Sequence, residues 1–259
     1  MRVGEIDILP VYDGPGRVTA EQTVRRTGVR NAWGPHRDLL RADGILEYPM
    51  GGFLVLDGER RVLVDTGVGP VHSFEETGGE FLNSLEALGY APGDITDVAF
   101  THLHSDHTGW AVRNGKTVFP NATYRVHEAD WVAFGGGRRG SGLSPMSGQL
   151  RLFSADTRIS PSITTRHTPG HTPGSAVFVV ASGGERALLI GDIAHSPAQF
   201  ADRDWYTVWD SDPAAATAVR NAIGDEAAVT GDLIVPAHFP GLRGGRVVEN
   251  PRRFVLSDV

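Results

Sequence analysis

Residues 101–110 read Thr101-His102-Leu103-His104-Ser105-Asp106-His107-Thr108-Gly109-Trp110. Three histidines and one aspartate fall within six positions. Neutral imidazole and carboxylate hold zinc-like ions while leaving coordination positions open for water. A polar surface loop also carries such residues, but a stretch this dense in ligands predicts that the rest of the chain completes a metal site.

The rest of the chain does supply candidates. His171 stands in His167-Thr168-Pro169-Gly170-His171, Asp192 in Ile190-Gly191-Asp192, and His238 in Pro236-Ala237-His238. Each follows or ends an apolar run that reads as a buried strand. Ligands on loops at strand ends, carried by a rigid sheet, are the usual form of a functional site. His167, four residues before His171 and nearer the strand end, is a rival ligand.

This set resembles the metallo-β-lactamase fold superfamily. The matching residues are His102, His104, Asp106, His107, His171, Asp192 and His238, in the superfamily's order, with Leu63-Val64-Asp65-Thr66-Gly67 as its first motif. The resemblance runs from about Gly51 to Pro240. It implies one metal on His102, His104 and His171, a second on Asp106, His107 and His238, and Asp192 bridging them. It also implies the fold class: α+β, a four-layer αββα sandwich of two packed mixed β-sheets flanked by helices. The expected cofactors are two divalent metal ions, zinc first, with Fe, Mn or Co as alternatives. The expected organisation is a single domain over 1–259, with an N-terminal strand and arm or lid over 1–50 and a metal-binding core over 51–240.

Composition agrees with an enzyme of this kind. A length of 259 residues is ample for a two-layer core. The net charge of −7 argues against a nucleic-acid surface, which needs clustered Lys and Arg. No 18-residue apolar stretch exists to span a membrane. Asp7, Asp13 and Gly14 interrupt any signal-like run after Met1, so a cytoplasmic location is the default expectation. The chain has no Cys, which excludes disulfides and thiolate ligands. A homodimer is expected from relatives, with Gly14 to Tyr48 having the Gly, Pro and Arg content of an arm or lid rather than of core.

Strands are expected over Val3 to Val11, Phe53 to Leu56, Arg61 to Val64, Val98 to Phe100, Ala122 to Val126, Ser175 to Val180, Ala187 to Ile190 and Leu233 to Val235. Asp57-Gly58 suits a tight hairpin turn. Phe81, Leu82, Leu85 and Leu88 form a helical face stopped by Gly89. A short helix is expected over Glu128 to Phe134. Asp212-Pro213 begins a helix to about Ile223, with Asp as N-cap and Pro in the first turn.

Two metals about 3.5 Å apart can share a hydroxide and lower the pKa of the parent water towards 7. The expected function is therefore a hydrolase that attacks a hydrophobic lactone or carboxylic ester, including acyl-homoserine lactones. Asp106, Asp192 and His195 are its expected catalytic residues. The acyl-homoserine lactonases often carry a Tyr three residues beyond the bridging Asp. Here that position is His195, which resembles the methyl-parathion-hydrolase-type members, so phosphotriester hydrolysis is the alternative. His195 is either a donor to the substrate or a structural histidine. A mononuclear iron persulfide dioxygenase is the alternative of another class. The absent Cys excludes thiolate-ligand β-lactamases, and with about twenty residues after His238 a helical glyoxalase II domain is not expected.

Asp65 either orients a ligand imidazole or merely makes a turn. Trp33, Tyr48, Met50, Trp110, Phe134 and Phe239 are the candidate substrate-pocket residues, though aromatics are equally at home in a core. Gly135 to Gly142 has no phosphate-cradle context. It is either a cover over the pocket or plain surface chain.

Overall fold

The computed structural model describes residues 1–135 and 142–257. The expected loop over Gly135 to Gly142 lies, apart from its two end residues, outside the described residues.

Two mixed sheets face each other. The first has seven strands, ordered Arg2–Val3, Ile6–Thr19, Ile45–Asp57, Arg60–Val64, Asp97–Ala99, Thr123–His127 and Leu150–Phe153. The second has six, ordered Ile163–His167, Ala176–Ser182, Glu185–Gly191, Leu233–Pro236, Gly245–Val248 and Arg253–Leu256. Strand period two sorts the apolar residues into layers. Val55, Val62, Val64 and Ala99 of the first sheet pack against Phe178, Val180, Leu189 and Val235 of the second. The alternate residues Leu54, Leu63 and Val98 turn outward onto Phe81 and Leu85 of the helix Phe81–Ala87. Val177, Leu188 and Ile234 likewise turn outward onto Ile223 and Ala227 of the helix Pro213–Thr230. Helix, sheet, sheet and helix make the expected αββα sandwich.

The hairpin closes as its sequence predicts. Asp57 pairs with Arg60, and Gly58 takes the positive φ of the turn. Asp212 caps the long helix by accepting from the Ala215 N–H. The helix runs on past Ile223 to Thr230, where Gly231 ends it with φ +73°. Gly224 sits inside it because Phe200 and Arg252 pack where a side chain would stand.

The N-terminal segment differs from its expectation as an arm or lid. Ile6–Thr19 and Ile45–Asp57 form a long ladder that runs from Asp7 opposite Leu56 to Thr19 opposite Ile45. Gly14, Pro15 and Gly16 lie inside it, and Trp33 is buried nearby. Glycine and proline weaken a strand locally, but a bulge between Tyr12 and Gly14 absorbs the break. That bulge turns the buried Asp13 inward. Its carboxylate accepts from the N–H groups of Val68, Gly69, Gly79 and Phe81 and from Trp110 Nε1.

Candidate metal centre

The ligand loops each follow the C-terminal end of a strand and meet at one end of the two sheets. His102 to His107 follow the strand Asp97–Ala99, and Asp106 and His107 lie on the short helix Ser105–Thr108. His171 follows Ile163–His167, Asp192 follows Glu185–Gly191, and His238 follows Leu233–Pro236. Gly191 has φ +52°, and a Cβ there would stand 2.6 Å from Thr101 Oγ1. Glycine thus lets the Asp192 loop press against the histidine loop.

The side chains converge in two groups that share one residue. His102, His104, His171 and Asp192 form one; Asp106, His107, Asp192 and His238 form the other. Within each group the ligand atoms lie within 4.8 Å of one another. Asp192 divides its oxygens between them. Oδ1 stands 3.1 Å from His107 Nε2 and 2.9 Å from His238 Nε2. Oδ2 stands 3.3 Å from His171 Nε2 and 3.7 Å from His102 Nε2.

Most of the imidazoles are braced from behind. His107 Nδ1 is 2.9 Å from Asp65 Oδ2, His171 Nδ1 is 2.9 Å from Asp210 Oδ1, and His238 Nδ1 is 3.0 Å from the Pro49 carbonyl. His102 Nδ1 lies 3.1 Å from Thr101 Oγ1. Such partners fix the ring orientation and the tautomer. Asp65 holds φ +62°, a left-handed conformation that Asp tolerates better than most residues. Its carboxylate also accepts from the Thr101 N–H and Oγ1.

The residues fit divalent metals. His102 Nε2, His107 Nε2, His238 Nε2 and Asp192 Oδ1 are buried and, among the described residues, have no hydrogen-bond partner. Orphaned polar atoms in a protein interior are costly, and these all face one small volume. A cation there would satisfy them together.

The electrostatics point the same way. Burial, with His171 alongside, pushes His104 down to about 4. Burial also depresses His171 and His238, but the hydrogen bonds of His171 to Asp192 and Asp210 lift it to about 9, and the Asp192 charge, with Asp106, lifts His238 to about 10. Burial opposes ionisation of Asp192, yet His238 and His107 hold it well below the usual carboxylate range. Burial likewise opposes ionisation of Asp106, and His107 and His238 overcome it. Protons and metal ions compete for such ligands.

A cavity of about 210 Å³ opens onto these groups. Besides ligands it is lined by Tyr48, Glu76, Ser105, His195 and Trp209. His195 Nε2 lies 3.1 Å from Asp192 Oδ2, and burial lowers the His195 pKa. Its ring is 5.1 Å from that of Trp209.

The pocket residues expected from sequence divide. Tyr48 lines the cavity, its ring edge-on to His238 at 5.0 Å. Phe134 stands edge-on to His104 at 5.5 Å, beside the site but off the cavity wall. The other four lie off the cavity wall. Trp33 packs on Trp205, Met50 is buried in the same cluster, and Phe239 is buried between Phe200 and Phe254. Trp110 is tied to Asp13. Apolar bulk adjacent to a ligand in sequence turns into the core because burial there is worth more than a cavity wall. His167 stacks on His127 and joins neither ligand group.

Sequence reasoning missed Asp210, Asp130 and Glu76. Asp210 lies beside the helix-capping Asp212 and reads as part of that cap. Buried Asp130 accepts from the Leu103 and Gly174 N–H groups and from Thr172 Oγ1, so it ties the His102–His104 loop to the His171 loop. Glu76 carries no local signal.

Comparisons with known proteins agree with this geometry. The family profile of the metallo-beta-lactamase superfamily matches residues 52–238. Human metallo-beta-lactamase domain-containing protein 1 is 31% identical over 201 residues, covering 75% of this chain and 67% of that one. The N-acyl homoserine lactonase AttM of Agrobacterium fabrum is 34% identical over 122 residues, 42% of this chain and 44% of its own length. Among solved structures, AidC, a dizinc quorum-quenching lactonase in complex with a product, is 25% identical with a TM-score of 0.89, over 100% of this chain and 97% of that one. The chain therefore belongs to the metallo-beta-lactamase superfamily, as one of its metal-dependent hydrolases.

Proposed function

We propose that the chain is a dinuclear hydrolase of lactones or related carboxylic esters. His102, His104 and His171 would hold one ion, Asp106, His107 and His238 the other, and Asp192 would bridge them. Zinc is the proposed metal. The division of the two Asp192 oxygens between the two ligand groups carries this reading. The likeness to lactonases supports the substrate class.

Two divalent cations would supply Lewis acidity at the ester carbonyl and a water of lowered pKa. The chain's own residues do the rest. The backing partners Asp65, Asp210 and Pro49 hold their imidazoles in place. A neutral His195 with its proton on Nε2 would donate a hydrogen bond at the cavity wall to the carbonyl or leaving oxygen. Tyr48 and Trp209 supply ring faces against which an apolar substrate packs.

The test is base uptake in a pH-stat with zinc-loaded protein, chelated protein and Asp192→Ala, on γ-lactones with and without acyl-amide tails. Metal-dependent ring opening, lost in the variant, is the expected result. No opening by protein that holds two metals per chain overturns the lactone reading and favours phosphotriesters. One bound iron, with oxygen consumed on a glutathione persulfide, would instead identify a dioxygenase.

A further inference from the structure

Three residues from three segments lie in one row beside the site. Gly16 is opposite Tyr48 in the long ladder. On its other side Gly16 bridges antiparallel to Glu76. The flanking bonds, from the Arg17 N–H to the Glu75 carbonyl and from the Thr77 N–H to the Pro15 carbonyl, fix that register. Residues opposite each other in a ladder project to the same face. Tyr48 and Glu76 therefore share a face, with glycine between them.

The glycine is required. A Cβ on Gly16 would come within 2.4 Å of the Tyr48 ring. The phenol thus lies across Gly16, between His238 and Glu76. Both Tyr48 and Glu76 line the cavity, and among the described residues Glu76 is its sole charged residue outside the ligand groups. Among the described residues, neither the phenol nor the Glu76 carboxylate makes a hydrogen bond or ion pair within the chain. One offers an O–H donor and the other an acceptor.

We propose that Tyr48 and Glu76 form a cradle for a secondary amide of the substrate, next to His238. The amide carbonyl accepts from the Tyr48 hydroxyl and the amide N–H donates to the Glu76 carboxylate. This rests on the lactone and ester reading and narrows it. It selects acylamino lactones or esters over alkyl lactones and phosphotriesters, which have no N–H to give. It also disfavours anionic groups at that end of the cavity.

The test compares N-hexanoyl-homoserine lactone with γ-decalactone, which lacks the amide, on zinc-loaded wild type, Glu76→Leu, Glu76→Gln and Tyr48→Phe. A hydrogen bond to a charged group predicts that Glu76→Leu shifts the KM ratio of the two substrates about tenfold against the amide. Glu76→Gln, whose Oε1 still accepts, retains most of the preference, and Tyr48→Phe loses part of it. An unchanged ratio in Glu76→Leu overturns the cradle, since a merely structural role would affect both substrates alike. Calorimetric binding of the ring-opened N-hexanoyl-homoserine and of 4-hydroxydecanoate separates the cradle from the lactone reading. If the wild type opens neither lactone, the lactone reading fails. A Kd ratio that still shifts about tenfold in Glu76→Leu then supports the cradle, and an unshifted ratio overturns it.

Discussion

Asp210 Oδ1 lies 2.9 Å from His171 Nδ1, although the residues are 39 apart in sequence. Asp210 is itself fixed by the Thr207 N–H, at 2.9 Å. The pair aims His171 Nε2 at Asp192. Asp210→Ala is expected to weaken metal binding about 10- to 100-fold, the usual effect of losing such a brace. Competition with a chromophoric chelator measures it, and wild-type affinity in the variant would show that Asp210 only shapes its loop.

Asp130 joins two ligand loops. Asp130→Ala leaves the Leu103 and Gly174 N–H groups without their acceptor, while the Thr172 hydroxyl can turn to Ser175 Oγ, 2.7 Å away. Buried unpaired donors cost about 1–3 kcal/mol each, so a loss of about 2 kcal/mol or more is expected. Urea unfolding of wild type and variant, both in excess chelator, isolates this from metal binding. A loss under about 1 kcal/mol would mean that water replaces the carboxylate.

Gly109 follows the short helix that carries Asp106 and His107. Helix propensity alone favours alanine there. Yet a Cβ on Gly109 would stand 1.9 Å from the Val68 carbonyl carbon. Gly109→Ala is therefore expected to destabilise by about 1–3 kcal/mol, as overpacking does. A raised urea midpoint would refute the close approach.

Glu226 bridges Arg166 and Arg186. The hydrogen bond from Arg166, despite some desolvation and aided by Arg186, lowers its pKa from 4.5 to about 2. A depressed carboxylate stabilises the fold above its unfolded pKa and loses that effect as pH falls through its folded pKa. The Tm gap between wild type and Glu226→Gln should hold steady above pH 4.5 and close as pH approaches 2. A gap independent of pH would mean that packing, not charge, distinguishes the two. Salt should also narrow it, because the triad is partly exposed.

What the sequence made legible was whatever is local. The hairpin at Asp57-Gly58, the Asp212-Pro213 helix start and the strand that precedes each ligand all follow from short-range pattern. The ladder between Ile6–Thr19 and Ile45–Asp57 does not, because its pairing spans a long loop and its glycines are explained only by groups brought up in space, the Thr77 carbonyl at Gly14 and the Tyr48 ring at Gly16. Residue type alone cannot divide cavity wall from core: Tyr48 and Met50 are both buried, apolar-bodied and two apart, yet only Tyr48 meets the site. Glu76 was invisible because its role depends on register with Gly16.

The seven candidate ligand side chains come from both sheets, four from a loop of the first and three from loops of the second. Neither half of the molecule owns a complete set for either proposed ion. A filled centre would thus be a rivet through the seam, and its occupancy would certify that the halves have docked in register. Metal removal should then be felt first as breathing between the sheets, visible as faster amide exchange at Val55, Val62 and Leu189, whose side chains meet across that seam.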